Sequence, residues 1–164
     1  MTRRTGLLFS LALALVVFVV DQGTKSVVEG SMRVGESITL VPGFLSLTYI
    51  ENDGGAFGIL GGSQMILLVG STVAVVVVLW MLLSGRPSML TMLGCGLILG
   101  GAAGNLLDRL SSGEVTDYVH FSFWYIFNAA DAAIVVGVGL LLLSALRPER
   151  TGQRQAGSER KADP

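Results

Sequence analysis

Residues 127–143 read FNAADAAIVVGVGLLLL, in which one acid, Asp131, precedes twelve apolar or small residues. An apolar run of this length predicts a membrane-spanning helix, because a single segment in lipid must satisfy its own backbone hydrogen bonds. A carboxylate inside such a span costs about 2.5–3.5 kcal/mol on insertion scales, so it requires a polar partner or a water-filled cavity. The stretch therefore predicts an all-α membrane protein in which Asp131 has a specific partner.

The composition of the chain supports a membrane protein. Of the 164 residues, 51% are apolar and 14% are charged, and the mean hydropathy is +0.67. A soluble domain carries charge on about a quarter of its residues. The net charge of −1 gives no basic excess, so nucleic acid is not an expected partner. The single cysteine, Cys95, lies in an apolar run and is interpreted as a small buried residue rather than a metal ligand.

The apolar stretches predict four transmembrane helices, at residues 7–20, 65–83, 89–107 and 123–146. Arg3 and Arg4 before the first stretch would also suit a secretory signal peptide. No small-x-small cleavage site follows, so we expect a retained helix that extends to about Lys25.

The distribution of basic residues predicts the orientation of these spans. Basic residues are concentrated in the N-terminus, the 84–88 turn and the C-terminal tail, as Arg3, Arg4, Arg86, Arg147, Arg150, Arg154, Arg160 and Lys161. The 21–64 and 109–122 loops contain more acids than bases. The positive-inside rule then predicts cytoplasmic termini and external loops.

Two segments outside the spans have their own character. Residues 37–41 and 45–50 are β-prone and are separated by Pro42-Gly43, which predicts a hairpin within a small extracytoplasmic β-rich domain, residues 33–60, between helices one and two. The membrane domain should cover residues 1–147, and the polar 148–164 segment should be a disordered cytoplasmic tail.

The predicted topology brings three acids toward the outer leaflet: Asp21, Asp108 and Asp131. Asp131 should lie about eight residues, or ~12 Å, into helix four. On their helices, Asn105 precedes Asp108 by three residues and Asn128 precedes Asp131 by three, so each asparagine can orient the acid on its own helix face.

A stripe of small residues on helix three, Gly96, Gly100 and Gly104, allows a close approach of another helix. We expect this stripe and the alanines around Asp131 to bring the two acid-bearing helices together.

Two close carboxylates share a proton, so one can activate water as a base while the other protonates a peptide carbonyl. That chemistry requires no metal or cofactor. Proton or cation transport and a structural contact between helices remain alternatives from the residues alone. A serine–histidine site would need His120, the only histidine, and no G-x-S-x-G motif accompanies it.

The chain resembles the bacterial lipoprotein signal peptidase (signal peptidase II) family in five blocks that occur in order across about residues 4–147. They are DQGTK at 21–25, NDGGAFG at 52–58, GNLLDR at 104–109, GEVTDY at 113–118 and FNAAD at 127–131. Tyr118 stands where the family usually has Phe, and Gly55 where it usually has Ala.

The resemblance implies an aspartic endopeptidase of the bacterial inner membrane, in contact with membrane lipid and with its active site toward the outer leaflet. Nothing in the sequence demands more than a monomer, so we expect a monomer. It would remove signal peptides from diacylglyceryl-modified prolipoproteins, cleaving just before the lipidated cysteine, without a cofactor. Asp108 and Asp131 would form the catalytic pair. The residues expected to bind substrate or support the site are Asp21, Lys25, Asn52, Gly54, Asn105, Arg109 and Asn128. The 21–64 loop would correspond to a surface β-cradle that holds the substrate.

Overall fold

The computed structural model describes residues 3–53, 64–84 and 88–146. Its four helices are α1 Arg3–Ser31, α2 Gln64–Ser84, α3 Met89–Ser111 and α4 Ala129–Ala145, and its three strands are β1 Ser37–Val41, β2 Leu45–Asn52 and β3 Val115–Phe121. Within the described residues, α1 and α3 are long and apolar enough to cross a membrane, and α4 is a shorter apolar helix.

The start of α4 corrects the predicted depth of Asp131. The helix begins at Ala129 rather than near Phe123, because the Asn128 side chain accepts a hydrogen bond from the Asp131 N–H and the Asp131 side chain accepts one from the Asn128 N–H. This capping box ends the preceding loop and begins the helix. Asp131 therefore lies in the first turn, where the helix dipole and free N–H groups favour a carboxylate.

The other helix ends also differ from expectation. α1 continues past Lys25 to Ser31, and α3 continues past Leu107 to Ser111. The added turns of α1 pack against the sheet, where Val28 and Met32 form a buried cluster with Tyr49 and Tyr118.

The strands form one antiparallel sheet in the order β1-β2-β3. The predicted hairpin is confirmed, with the turn at Gly43 adopting a positive φ of 70° that favours glycine. β3 was not predicted. It comes from the connection between α3 and α4, so the sheet is not confined to the segment between helices one and two.

The glycine stripe of α3 faces α1, so its expected role between α3 and α4 was wrong. An added Cβ would lie 2.9 Å from the Ser10 carbonyl oxygen at Gly96 and 2.5 Å from the Ala14 carbonyl oxygen at Gly100. α4 is contacted instead through Gly101, where an added Cβ would lie 2.5 Å from the Ala130 carbonyl oxygen. Cys95 is fully buried in the core between α2 and α3, as predicted.

Candidate active site

Asp131 is held by donors from two helices. Its Oδ1 accepts a 2.7 Å hydrogen bond from the Asn105 side-chain amide of α3, and its Oδ2 accepts a 3.3 Å bond from the Asn128 backbone N–H. The expectation that each asparagine orients the acid on its own helix was therefore wrong for Asn105, whereas Asn128 does hold Asp131 on α4, through its backbone N–H and the helix cap. Asn105 reaches across to α4, and this crossing fixes the distance between the two helices at the site.

Asp117, on β3, is the second acid at this position. Its side chain is buried, and its Oδ1 and Oδ2 accept hydrogen bonds of 2.7 Å from the Asn128 amide and 2.8 Å from the Asn52 amide. Asn128 thus contacts both acids, Asp131 through its backbone and Asp117 through its side chain. One residue at the start of α4 joins a strand carboxylate to a helix carboxylate.

The electrostatics link the same two acids. Burial raises the pKa of Asp117 to about 6, with a further contribution from the negative charge of Asp131, against the lowering effect of the hydrogen bonds from Asn52 and Asn128. Burial and the charge of Asp131 therefore act in the same direction on Asp117, and both favour its protonated form.

Asp108 has different surroundings. Its Oδ2 forms a 2.5 Å ion pair with the Lys25 ammonium, and its Oδ1 accepts a 2.9 Å hydrogen bond from the Gln22 amide. Lys25 is buried and also pairs with Asp21 at 2.8 Å. Within the described residues Asp108 makes no hydrogen bond to Asp131. The Asp108 carboxylate thus has a buried cation as its partner, whereas Asp117 and Asp131 are held by neutral amide and backbone donors.

A polar cavity of about 330 Å³ lies on the Asp108 side of this ion pair. It is lined by Gln22, Lys25, Ser26, Glu29, Tyr49, Glu51, Asp108, Ser111, Ser112, Glu114 and Thr116. Neither Asp117 nor Asp131 belongs to its lining, so Asp108 and the other two acids face different surroundings.

Lys25 determines which way the Asn105 amide points. The Asn105 Oδ1 accepts hydrogen bonds from the Lys25 ammonium at 2.9 Å and from the Asn128 amide at 3.1 Å. Two donors on the carbonyl side leave the amide NH₂ to face Asp131. The ion pair and the two acids are thereby joined in one hydrogen-bond network.

Asp21 ties α1 to the start of α4. It is fully buried, and its Oδ1 accepts a 2.9 Å hydrogen bond from the Ala130 N–H in the first turn of α4. Asp21 thus contacts the turn that carries Asp131.

The remaining candidates are Arg109, Asn52 and Gly54. The Arg109 guanidinium donates a 3.2 Å bond to the Asn105 carbonyl oxygen and interacts electrostatically with Asp131, Asp117 and Asp108. Asn52 contacts Asp117, as described above. Gly54 lies outside the described residues.

Asp117 and Gln22 were absent from the sequence-based candidates. Asp117 belongs to the GEVTDY block, but residues 109–122 were expected to form an external loop. A side chain on such a loop is expected to be exposed, so Asp117 was not a candidate for the buried site. The signal was present in VTDYVHF, a β-prone run that contains an acid at a buried position. Gln22 lies on α1 inside the DQGTK block, between Asp21 and Lys25.

Comparisons with known proteins identify the family of the chain. The model of the Signal peptidase (SPase) II family matches residues 13–147. A lipoprotein signal peptidase of Halothermothrix orenii is 41% identical over 138 residues, which cover 84% of this chain and 95% of that protein. One from Halalkalibacterium halodurans is 41% identical over 147 residues, covering 87% and 94%. A bacterial membrane enzyme solved by the in meso method at 1.9 Å resolution has a TM-score of 0.76 at 29% identity, covering 84% of this chain and 92% of its own.

Proposed function

The chain belongs to the signal peptidase II family, and we propose that it cleaves its substrates by aspartic catalysis through Asp117 and Asp131. Membership makes it a bacterial membrane protease that removes signal peptides from prolipoproteins. The observation that carries the aspartic proposal is the single residue Asn128, which hydrogen-bonds to both carboxylates. It holds two acids from different elements at one position, with all four carboxylate oxygens directed by amide or backbone donors.

The proposed reaction needs one proton on the pair. The ionised carboxylate accepts a proton from a water molecule, whose oxygen then bonds to the scissile carbonyl carbon. The protonated carboxyl gives its proton to the carbonyl oxygen. When the tetrahedral intermediate collapses, the amide nitrogen takes the proton from the pair and the carbon–nitrogen bond breaks. One of the two hydroxyl groups of the intermediate gives its proton back to the pair as the carbonyl re-forms, so one proton again remains on the two acids.

The neighbouring asparagines keep this pair in position. The Asn105 and Asn52 amides each occupy one carboxylate oxygen, which leaves the remaining lone pairs for water and substrate. Arg109 supplies positive charge near the pair and thereby favours the singly ionised state. In this proposal Asp108 is a structural partner of Lys25 and replaces neither acid of the pair.

The membrane arrangement is also a proposal. The C-terminal ends of α1 and α3, the N-terminal end of α4 and the sheet all meet around Asp131. The excess of basic residues in the opposite segments supports an extracytoplasmic position for this end, with four spans and both termini in the cytoplasm. The site would then face the outer leaflet, where a monomer in contact with lipid can meet a diacylglyceryl-modified cysteine.

The test uses purified protein and a diacylglyceryl-modified prolipoprotein, with the new N-terminus identified by mass spectrometry. Cleavage just before the lipidated cysteine is the expected result, and D131N should reduce the rate by at least about 100-fold. E36Q, a change at an exposed acid, is the matched control and should cleave normally. Normal turnover by D131N, or equal cleavage of unmodified substrate, would contradict the proposed mechanism or substrate class respectively.

A further inference from the structure

Four exposed or half-buried aromatic residues form one ordered group at the end of the sheet: Phe44, Phe121, Phe123 and Trp124, here called the aromatic platform. The Phe44 ring centroid lies 5.3 Å from that of Phe121 and 5.9 Å from that of Phe123, and the centroids of Phe121 and Phe123 lie 5.7 Å apart. These distances are typical of favourable aromatic pairs.

The backbone holds the platform in place. The turn after β1 and the turn after β3 are joined by a 3.1 Å hydrogen bond from the Ser122 N–H to the Phe44 carbonyl oxygen. The Ser122 hydroxyl also donates to the Gly43 carbonyl oxygen at 2.9 Å, and the Trp124 N–H donates to the Phe121 carbonyl oxygen at 3.0 Å. The exposed rings are therefore presented by a fixed pair of turns.

The platform is strongly apolar and exposed. The Phe123 and Trp124 side chains are 69% and 64% exposed. On the adjacent edge strand β1, Ile38, Leu40 and Val41 are exposed as well. Residues 37–50 and 118–130 contain no Asp, Glu, Lys or Arg, so the surroundings lack the charged rim typical of a water-facing surface.

The aromatic platform is connected to the start of the apolar helix α4. Phe127, whose ring stacks on Phe121 at 6.1 Å, pairs its backbone with Val119 and directly precedes the helix cap. Val135 and Val136, further along α4, are exposed apolar residues. Trp and aromatic rings at the end of an apolar helix are enriched at the headgroup level of bilayers.

We propose that the aromatic platform inserts into the headgroup–acyl boundary of the bilayer and sets the depth of the active site. Because Phe127 is bonded to β3 and precedes Asn128, the platform is rigidly connected to the residue that contacts both acids. Its insertion fixes the distance of Asp117 and Asp131 from the membrane surface. The two acids then lie at the same depth as the scissile bond of a substrate whose cysteine carries a lipid anchor.

The test measures the depth of Trp124 by fluorescence. The chain contains two tryptophans, so W80F leaves Trp124 as the only reporter. The variant is reconstituted in phosphatidylcholine–phosphatidylglycerol vesicles whose lipids carry bromine near the glycerol or near the methyl end of the acyl chain. Stronger quenching by the shallow bromines than by the deep ones, with little quenching by iodide, is the expected result.

Two outcomes would overturn the proposal. Efficient iodide quenching without bromolipid quenching would place Trp124 in water. Iodide quenching that disappears only after addition of lipid-modified substrate would show that the substrate, and not the bilayer, covers the platform. Neither readout requires that the proposed acid pair be correct, since no cleavage is measured.

A second measurement connects depth to activity. F123S/W124S should raise KM for a bilayer-anchored substrate at least several-fold while leaving kcat nearly unchanged, and F123L/W124L should restore most of the loss. A fall in kcat alone, or an equal effect of both double variants, would contradict a role in depth.

Discussion

Replacing Gly101 with alanine should separate α3 from α4 at the site. The added Cβ would lie 2.5 Å from the Ala130 carbonyl oxygen and 2.9 Å from Ile134 Cγ1, whereas ordinary contacts begin at 3.4 Å. The nearest atom belongs to the backbone, so no side-chain rotation can relieve the contact. The helices must move apart locally by roughly the missing 0.9 Å, the difference between 3.4 and 2.5 Å.

A matched variant separates the stability cost of the clash from the effect of placing alanine in a helix. Gly139 lies on α4 with no atom within 4 Å of an added Cβ, so G139A gains the helix propensity of alanine without a clash. Overpacking of a tight interior costs about 1–3 kcal/mol, and the propensity gain of about 1 kcal/mol is common to both variants. G101A should therefore be less stable than G139A by about 1–3 kcal/mol.

Reversible unfolding in detergent micelles measures this difference. Because Ala130 precedes Asp131, the separation should also lengthen the 2.7 Å bond between Asn105 and Asp131 and lower the cleavage rate of G101A. If G101A were as stable and as active as G139A, the close α3–α4 contact at this position would be refuted.

Three further predictions follow from the network around the acids. K25M leaves the buried Asp21 and Asp108 carboxylates without their cation and should cost about 3–5 kcal/mol of unfolding free energy. If the unfolding free energy fell by less than about 1 kcal/mol, the ion pairs of Lys25 with Asp21 and Asp108 would be no stronger than an ion pair on the surface. The folded pKa of Asp117, about 6, exceeds its unfolded value of about 3.9, so its stabilising contribution is complete below pH ~4 and is lost as the pH rises through 6. Between pH ~4 and ~6, the free energy of unfolding of the wild type should therefore fall relative to that of D117N. If the wild-type value minus the D117N value stayed constant or rose over this range, the buried position of Asp117 beside Asp131 would be contradicted. N128A removes the side-chain helix cap and the amide contact to Asp117 but keeps the backbone N–H that contacts Asp131, so it should lose about 0.5–2 kcal/mol of stability and most cleavage activity. Normal cleavage by folded N128A would remove the basis for joining the acids.

The sequence predicted the helices and the hairpin because apolar length and Pro-Gly punctuation are local signals. It could not predict the start of α4, because residues 123–127 are as apolar as a span. Only the Asn128 cap and the pairing of Phe127 with Val119 end that loop. β3 was not predicted for the same reason, because the strand that pairs with it, β2, lies more than sixty residues earlier in the chain and gives no local signal.

At the site, the sequence identified most of the residues but not how they pair. Spacing of three on a helix suggested that Asn105 orients Asp108, yet the structure directs its amide to Asp131 and its carbonyl to Lys25. Helix spacing describes neighbours on one element only, whereas the bonds from Asn105 to Asp131, from Lys25 to Asp108 and from Asn128 to Asp117 cross between elements. The predicted pairing of Asp108 with Asp131 rested on the topology, the small-residue contact between helices and the family blocks.

The central claim is that Asp117, rather than Asp108, acts with Asp131. The most direct measurement compares D117N and D108N for cleavage of a diacylglyceryl-modified prolipoprotein, with each rate divided by the folded fraction. We expect D117N to lose at least about 100-fold in kcat per folded molecule. We expect D108N to be less stable and to retain, per folded molecule, a rate at least ten times that of D117N, where about 1.4 kcal/mol corresponds to each tenfold step. Near-normal cleavage by D117N beside an inactive but folded D108N would contradict the account and restore Asp108 to the pair.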